Sequence, residues 1–198
     1  MKENAADLGP VRAFVALPLP ATIRAHLTNV QQAIARHSGR AVKWAGEEAM
    51  HLTLEFLGDV PRWVLVDLPP ALEHAVAGAP SLQLETAGVG AFPNWRTPKV
   101  IWLGVEGDLR GLRLLRERVA GALRQFGFAA DPRPFRPHLT LGRVRPHAEP
   151  ALLERLVATA PNVRPDRQVF TADRVVLYRS ILAPSGPTHL VLAEWPLS

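Results

Sequence analysis

His51-Leu52-Thr53-Leu54 (HLTL, residues 51–54) returns letter for letter as His138-Leu139-Thr140-Leu141 (residues 138–141). In an extended strand successive side chains point to opposite faces, so in each copy His and Thr share one face and the two leucines share the other. The leucines belong against a core, and the His/Thr pair looks away from it. The chain has only seven histidines, and two of them head the same tetrapeptide.

Working outward, the neighbourhoods of the two copies have the same organisation. Residues 11–17 (VRAFVAL) read as a strand ended by Pro18-Leu19-Pro20, and a helix follows with Ile23, Leu27, Val30 and Ile34 on one face. AVKWA (41–45) and HLTLEFL (51–57) read as strands joined by a polar turn. A helix with Val64, Leu68, Leu72 and Val76 comes next. Pro69-Pro70 inside it predicts a kink or a restart, because an interior proline costs about 3 kcal/mol. SLQLETAGVGAF, a PNWRTP loop and KVIWLGV then predict a hairpin.

Leu109 to Phe126 is the clearest helix, with Leu112, Leu115, Val119 and Leu123 opposite Arg110, Arg113, Arg116, Arg118 and Arg124, which read as a solvated face. HLTLGRV, a helix at ALLERLVATA, and two late strands near QVFTADRVVLYRSIL and THLVLAEWPL complete the chain. Each half offers a helix, an HLTL strand, a second helix and further strands. The expectation is an α+β fold of two pseudo-symmetric lobes, each with an antiparallel sheet and helices, around a central cleft. The 198 residues then form one bilobal domain whose lobes exchange strands, with approximate halves 11–105 and 106–198.

Composition bounds the chemistry. With 47% hydrophobic residues the chain can fill a core, and its 19 prolines and 14 glycines punctuate loops rather than mark disorder. The absence of cysteine excludes disulfides, thiol nucleophiles and cysteine-ligated zinc. MKENAADLGP lacks the apolar core of a signal peptide, and no stretch reaches the roughly 18 apolar residues of a membrane span. A cytoplasmic, monomeric protein with no membrane partner is expected. The net charge of +5 favours an anionic partner.

Two imidazoles and two hydroxyls facing one point suit a tetrahedral anion, since histidine is both acid and base near neutral pH and threonine donates to oxygens. One His can deprotonate water while the other protonates a leaving oxygen, each transfer contributing about 10² to 10⁴ in rate. A metal site is the rival for paired histidines. Strand parity puts Glu55 on the His51 face, but Gly142 stands at the equivalent place in the second copy, so the acids do not support a metal.

The paired H-x-T-x motifs resemble the two-histidine (2H) phosphoesterase superfamily, and the chain looks like its RNA 2′,3′-cyclic phosphodiesterases, historically called 2′-5′ RNA ligases. The resemblance runs through VRAFVALPLP, VKWAGEEAMHLTLEFLGDV, GVGAFPNWRTPKVIWLGV, GFAADPRPFRPHLTLGRV and LYRSILAPSGPTHLVLAEWPL, in that order. It implies a bilobal fold, no metal or nucleotide cofactor, RNA ends or cyclic nucleotides as partners, and opening of a 2′,3′-cyclic phosphate to a 2′-phosphomonoester. On this chain it makes His51 the proton donor and His138 the proton acceptor, with Thr53 and Thr140 gripping phosphate; symmetry alone leaves the two histidines interchangeable. It also allows 2′-5′ ligation, the reverse reaction with an RNA hydroxyl in place of water. Relatives often carry an aromatic on the last strand where this chain has Thr188-His189. The alternative from another class is a non-catalytic RNA-end binding module, which needs donors but not two titratable groups.

Around the motifs, Arg136 stands two before His138, and Pro137 favours an extended Arg136 that faces the same cleft, a third phosphate contact. Arg143 lies on the leucine parity and points away unless the strand bends. Phe14 and Trp44 are the candidates for stacking on a base, with core packing as the alternative.

Overall fold

In the computed structural model, which describes residues 9–129, 131–183 and 186–198, the two tetrapeptides begin neighbouring strands. β1 spans Val11–Pro18, β2 Val42–Trp44, β3 His51–Val60, β4 Leu82–Phe92, β5 Val100–Gly107, β6 His138–Val144, β7 Val169–Ala172, β8 Arg174–Ala183 and β9 Gly186–Pro196. β3 and β6 run antiparallel side by side, with Leu52 opposite Leu139. β1 flanks β3 and β5 flanks β6; β8 and β9 continue beyond β1, β4 and β7 beyond β5, and β2 adds to β6.

The strands form one continuous curved sheet rather than one sheet per half. The reason is the Leu52–Leu139 contact: it pairs the two motif strands directly, so neither half keeps a free edge there. β4 and β5, from the first half of the sequence, lie on the β6 side of the seam, and β8 and β9, from the second, lie on the β3 side beyond β1.

Curvature also explains a strand that sequence reading ran together. VFTA pairs with β4 and RVVLYRSILA with β1, on opposite sides of the sheet, yet only Asp173 separates them. The sheet curls until its ends approach, as Ser198 bonding to Ala79 and Ser81 shows. The Asp173 carbonyl accepts the Leu197 amide at 2.7 Å, closing the corner.

Among the described residues, four α-helices cover the sheet: α1 Ala21–Ser38, α2 Val64–Val76, α3 Leu109–Arg124 and α4 Pro150–Thr159. α1 packs with α4 and α2 with α3. α1 buries the predicted Ile23, Leu27, Val30 and Ile34. α3 starts on the Asp108 side chain, whose Oδ1 accepts the Gly111 amide at 2.9 Å.

α2 runs unbroken through Pro69 and Pro70, against the expected kink or restart. The prolines cannot donate to the carbonyls of Leu65 and Val66, four residues back, and Val66 is largely exposed. Val64, Leu68, Leu72 and Val76 are at most 2% exposed. Burying four such side chains contributes about 1.5–3 kcal/mol each, enough to offset about 3 kcal/mol per proline.

β2 pairs with β6, not with the β3 strand that follows it. The intervening polar turn, Glu47–Ala49, is a single 3₁₀ turn that redirects the chain.

Candidate active site

Both motif strands carry a bulge at the same letter. His51 and Thr53 stand opposite Pro18 and Ala16, but the next β1 residue, Val15, pairs with Glu55, so Leu54 is an extra residue. On β6, His138 and Thr140 stand opposite Gly104 and Trp102, and Ile101 then pairs with Gly142, leaving Leu141 as the extra one. A bulge shifts the alternation of side chains by one position. His and Thr keep the outer face, the two leucines stay in the core, and the residues that follow, Glu55 to Leu57 on β3 and Gly142 onward on β6, change sides until a second bulge at Leu57 restores the alternation on β3.

This shift corrects one sequence expectation and realises the exception stated for another. Glu55 does not share the His51 face; it turns inward, is 6% exposed and pairs with Arg116 of α3 at 2.7 Å. Arg143 does not point away: it returns to the His/Thr face, where its charge disfavours protonation of His138. Phe56 makes the equivalent turn in the first copy and is 68% exposed.

Each histidine sits in its own aromatic nest. The His51 ring stacks on Phe14 at 4.6 Å and meets His189 edge-on at 5.2 Å, with Tyr178 at 6.2 Å. Phe14 is itself stacked on Tyr178 at 5.1 Å and touched edge-on by His189 at 4.8 Å. The His138 ring meets Phe92 edge-on at 4.9 Å and lies 6.3 Å from Trp102. Trp102 lies flat over Gly90, where a Cβ would fall 2.2 Å from the indole.

The rings are held by the backbone two residues before them. His138 Nδ1 is 2.7 Å from the Arg136 carbonyl, which can only accept, so Nδ1 carries the proton and Nε2 is left as a free base. His51 likewise hydrogen-bonds to the backbone of Ala49. Burial pushes His51 down to about 4, with the neighbouring imidazoles His189 and His138 adding to the effect against the Ala49 bond. His138 is lowered too, again mainly by burial, while its Arg136 bond opposes this. His189 is lowered by burial alone.

Thr53 and Thr140 lie beside their histidines on the shared face. Arg136 is exposed just before β6, and its carbonyl is the group in contact with His138. Phe14 lies on the His51 side but is 3% exposed, because His51, Tyr178 and His189 cover its ring. Trp44 pairs with Gly142 and packs on the inner face, where a Cβ on Gly142 would lie 2.9 Å from its indole. Neither Phe14 nor Trp44 presents an open ring face at the His/Thr pairs.

Sequence reading missed Tyr178, Phe92 and Trp102 as neighbours of the histidines, and met His189 only as a departure from relatives. Tyr178 is the sole tyrosine of the chain, but its place beside Phe14 follows from β8 crossing to β1, which nothing local encodes.

Among the described residues no group of three or more His, Cys, Asp or Glu is placed to hold a metal ion, and no helix is long and apolar enough to cross a membrane.

Residues 19–182 match the family model described as the 2′-5′ RNA ligase superfamily. The chain is 33% identical over 184 residues to an RNA 2′,3′-cyclic phosphodiesterase of Thermotoga maritima, covering 93% of this chain and 94% of the relative. It is 34% identical over 198 residues to one of Thermus thermophilus, covering 94% and 90%. Among solved structures it is similar to E. coli LigT complexed with 3′-AMP, with a TM-score of 0.75 and 26% identity over 96% of this chain and 99% of that one. A crystal structure of a Thermus thermophilus protein gives a TM-score of 0.74 at 28% identity over 94% and 97%.

Proposed function

The chain belongs to the 2H phosphoesterase superfamily, in its RNA 2′,3′-cyclic phosphodiesterase family, and on that premise we propose that it opens 2′,3′-cyclic phosphates at RNA or nucleotide ends to 2′-phosphomonoesters without a metal. The observation that carries this reading is the duplicated His/Thr face joined at Leu52 and Leu139. An RNA end brings one phosphorus and two oxygens that need opposite proton transfers, and two imidazoles on adjacent strands supply them.

His138 acts as the base. Its Nε2 takes a proton from water as the water oxygen attacks phosphorus, and the free-base tautomer fixed by the Arg136 carbonyl supports the role. The bond from phosphorus to the 3′ oxygen breaks, and His51 gives its proton to that oxygen. His51 is held neutral in the free protein, but a phosphate anion beside it favours the imidazolium and so arms the acid as substrate binds. Thr53 and Thr140 donate to the non-bridging oxygens, and Arg136 and Arg143 balance their charge. Phe14 backs His51, and Trp44 has a structural place behind β6.

The chain is best read as two related halves, roughly 11–105 and 106–198, that exchange strands. The mirrored strand order about the β3/β6 seam and the matched bulges support this.

The test uses pure protein, excess chelator and a 2′,3′-cyclic nucleotide. Turnover to the 2′-phosphate is expected, with loss of about 10² to 10⁴ in His51→Ala and in His138→Ala. Full activity in either variant would sink the site, and inactivation by chelator would sink the metal-free mechanism. Tight, salt-sensitive binding of the RNA end with no product would favour the binding module instead.

A further inference from the structure

Arg116 is a helix residue that neither motif contains, yet it touches the chain beside both. Its Nε donates to the carbonyl of Leu54, the bulged residue of the first motif, at 3.3 Å. Its terminal nitrogen pairs with the Glu55 carboxylate at 2.7 Å. Its guanidinium carbon stands 4.7 Å over the ring of Phe135. Phe135 directly precedes Arg136, whose carbonyl fixes His138 in its base-competent tautomer.

The three contacts suit a guanidinium and no other side chain. A bulge interrupts the strand ladder and leaves backbone groups without strand partners, and the Nε donor meets one of them. The fork reaches a carboxylate that the bulge has turned into the core, where a lone charge is not tolerated. The flat face covers an aromatic ring. The second motif has no counterpart: Gly142 stands where Glu55 does, and its space is filled by Val42 and Trp44. The clamp therefore spans from one motif to the other in a single direction.

We infer that Arg116 is a positioning residue for the reaction, clamping the segment that orients His138 to the bulge that ends the His51-Thr53 face. The kinetic part of this inference rests on the phosphodiesterase reading above.

The decisive variants are Arg116→Lys and the double replacement Glu55→Met with Arg116→Met. Lysine keeps a charge beside Glu55 but cannot donate to Leu54 and Glu55 as a fork while covering Phe135. The double replacement removes both charges and keeps apolar volume, a change buried ion pairs often tolerate. With a 2′,3′-cyclic nucleotide, both are expected to lose about ten- to a hundredfold in kcat with KM within about twofold, while circular dichroism reports a native fold. Nitrogen-15 spectra of the imidazoles, taken without substrate, give a second readout. His138 is expected to be the Nδ1–H tautomer in the parent and a mixture of tautomers in the variants.

A folded variant with parental kcat and an unchanged His138 tautomer overturns the clamp. If the double replacement does not fold, the lysine variant decides alone. If the parent does not turn over the cyclic nucleotide, the phosphodiesterase reading falls, and the tautomer comparison still decides the clamp.

Discussion

Leu52 and Leu139 stand opposite each other where β3 meets β6, both fully buried. The residues on either side of this pair, His51 and Thr53 on one strand and His138 and Thr140 on the other, are thereby raised together onto the outer face of one seam. The core contact and the chemical face are two sides of the same pairing.

From this follows the expected behaviour of the threonines. Thr53→Val and Thr140→Val keep shape and remove one donor each. A hydrogen bond to a charged group is worth about 1.5–3 kcal/mol, so each variant should lose about ten- to a hundredfold in kcat/KM on a cyclic nucleotide. Thermal unfolding should be little changed, because among the described residues neither hydroxyl has a protein hydrogen-bond partner. A variant with parental kcat/KM would remove its threonine from the phosphate site.

Gly90 gives a prediction about the second nest. A Cβ there would lie 2.2 Å from the Trp102 ring, which must move, and Trp102 lies beside both Phe92 and His138. Gly90→Ala should shift tryptophan fluorescence and cost about 1–3 kcal/mol in denaturant unfolding, as overpacking does. It should also lower kcat, since the ring flanking His138, the proposed base, is displaced. Parental fluorescence and parental kcat together would show that the indole does not support His138.

Much of this site was legible in the sequence because period-two alternation is local. It sorted His51, Thr53, His138 and Thr140 from their leucines, and the helical faces of α1 and α3 followed by the same kind of local rule. Alternation failed one residue past each motif, because a bulge depends on the partner strand: Glu55 was assigned to the wrong face, and Arg143 takes the face that a bent strand gives it, for one and the same reason. The burial of Phe14 was not legible either. It depends on Tyr178 and His189, which reach it through pairings of β1 with β8 and of β8 with β9. The single sheet in place of two follows from the seam itself, and no local pattern states which strand lies next to which.

Stability should depend on pH through the same histidines. His51 is held at about 4 in the fold against an ordinary 6.5, so between these values the unfolded chain binds more protons than the native one. Stability is unaffected by this group above about pH 6.5 and is lost as pH falls toward 4, by up to about 3 kcal/mol. His26, His138 and His189 are lowered as well and act in the same direction. Denaturant unfolding at about pH 7 and about pH 4.5, on either side of most of this window, should show a smaller loss in His51→Gln than in the parent. Equal losses would mean that His51 titrates normally in the fold.

The rate profile should differ between the free and the loaded enzyme. kcat/KM reports the free enzyme, in which His51 holds its proton only in acid. kcat reports the complex, in which the proposed mechanism puts the phosphate anion beside His51, favouring the imidazolium. The alkaline limb assigned to His51 should therefore lie at higher pH in kcat than in kcat/KM. Replacing His189 with Phe keeps a ring against His51 and removes one of the imidazoles that oppose its protonation, so the His51 limb of kcat/KM should move upward. Burial remains the larger cause, so the limb should stop short of the ordinary histidine value. Coincident limbs in the parent would count against His51 as the acid, and an unmoved limb in His189→Phe would show that the third histidine does not act on it.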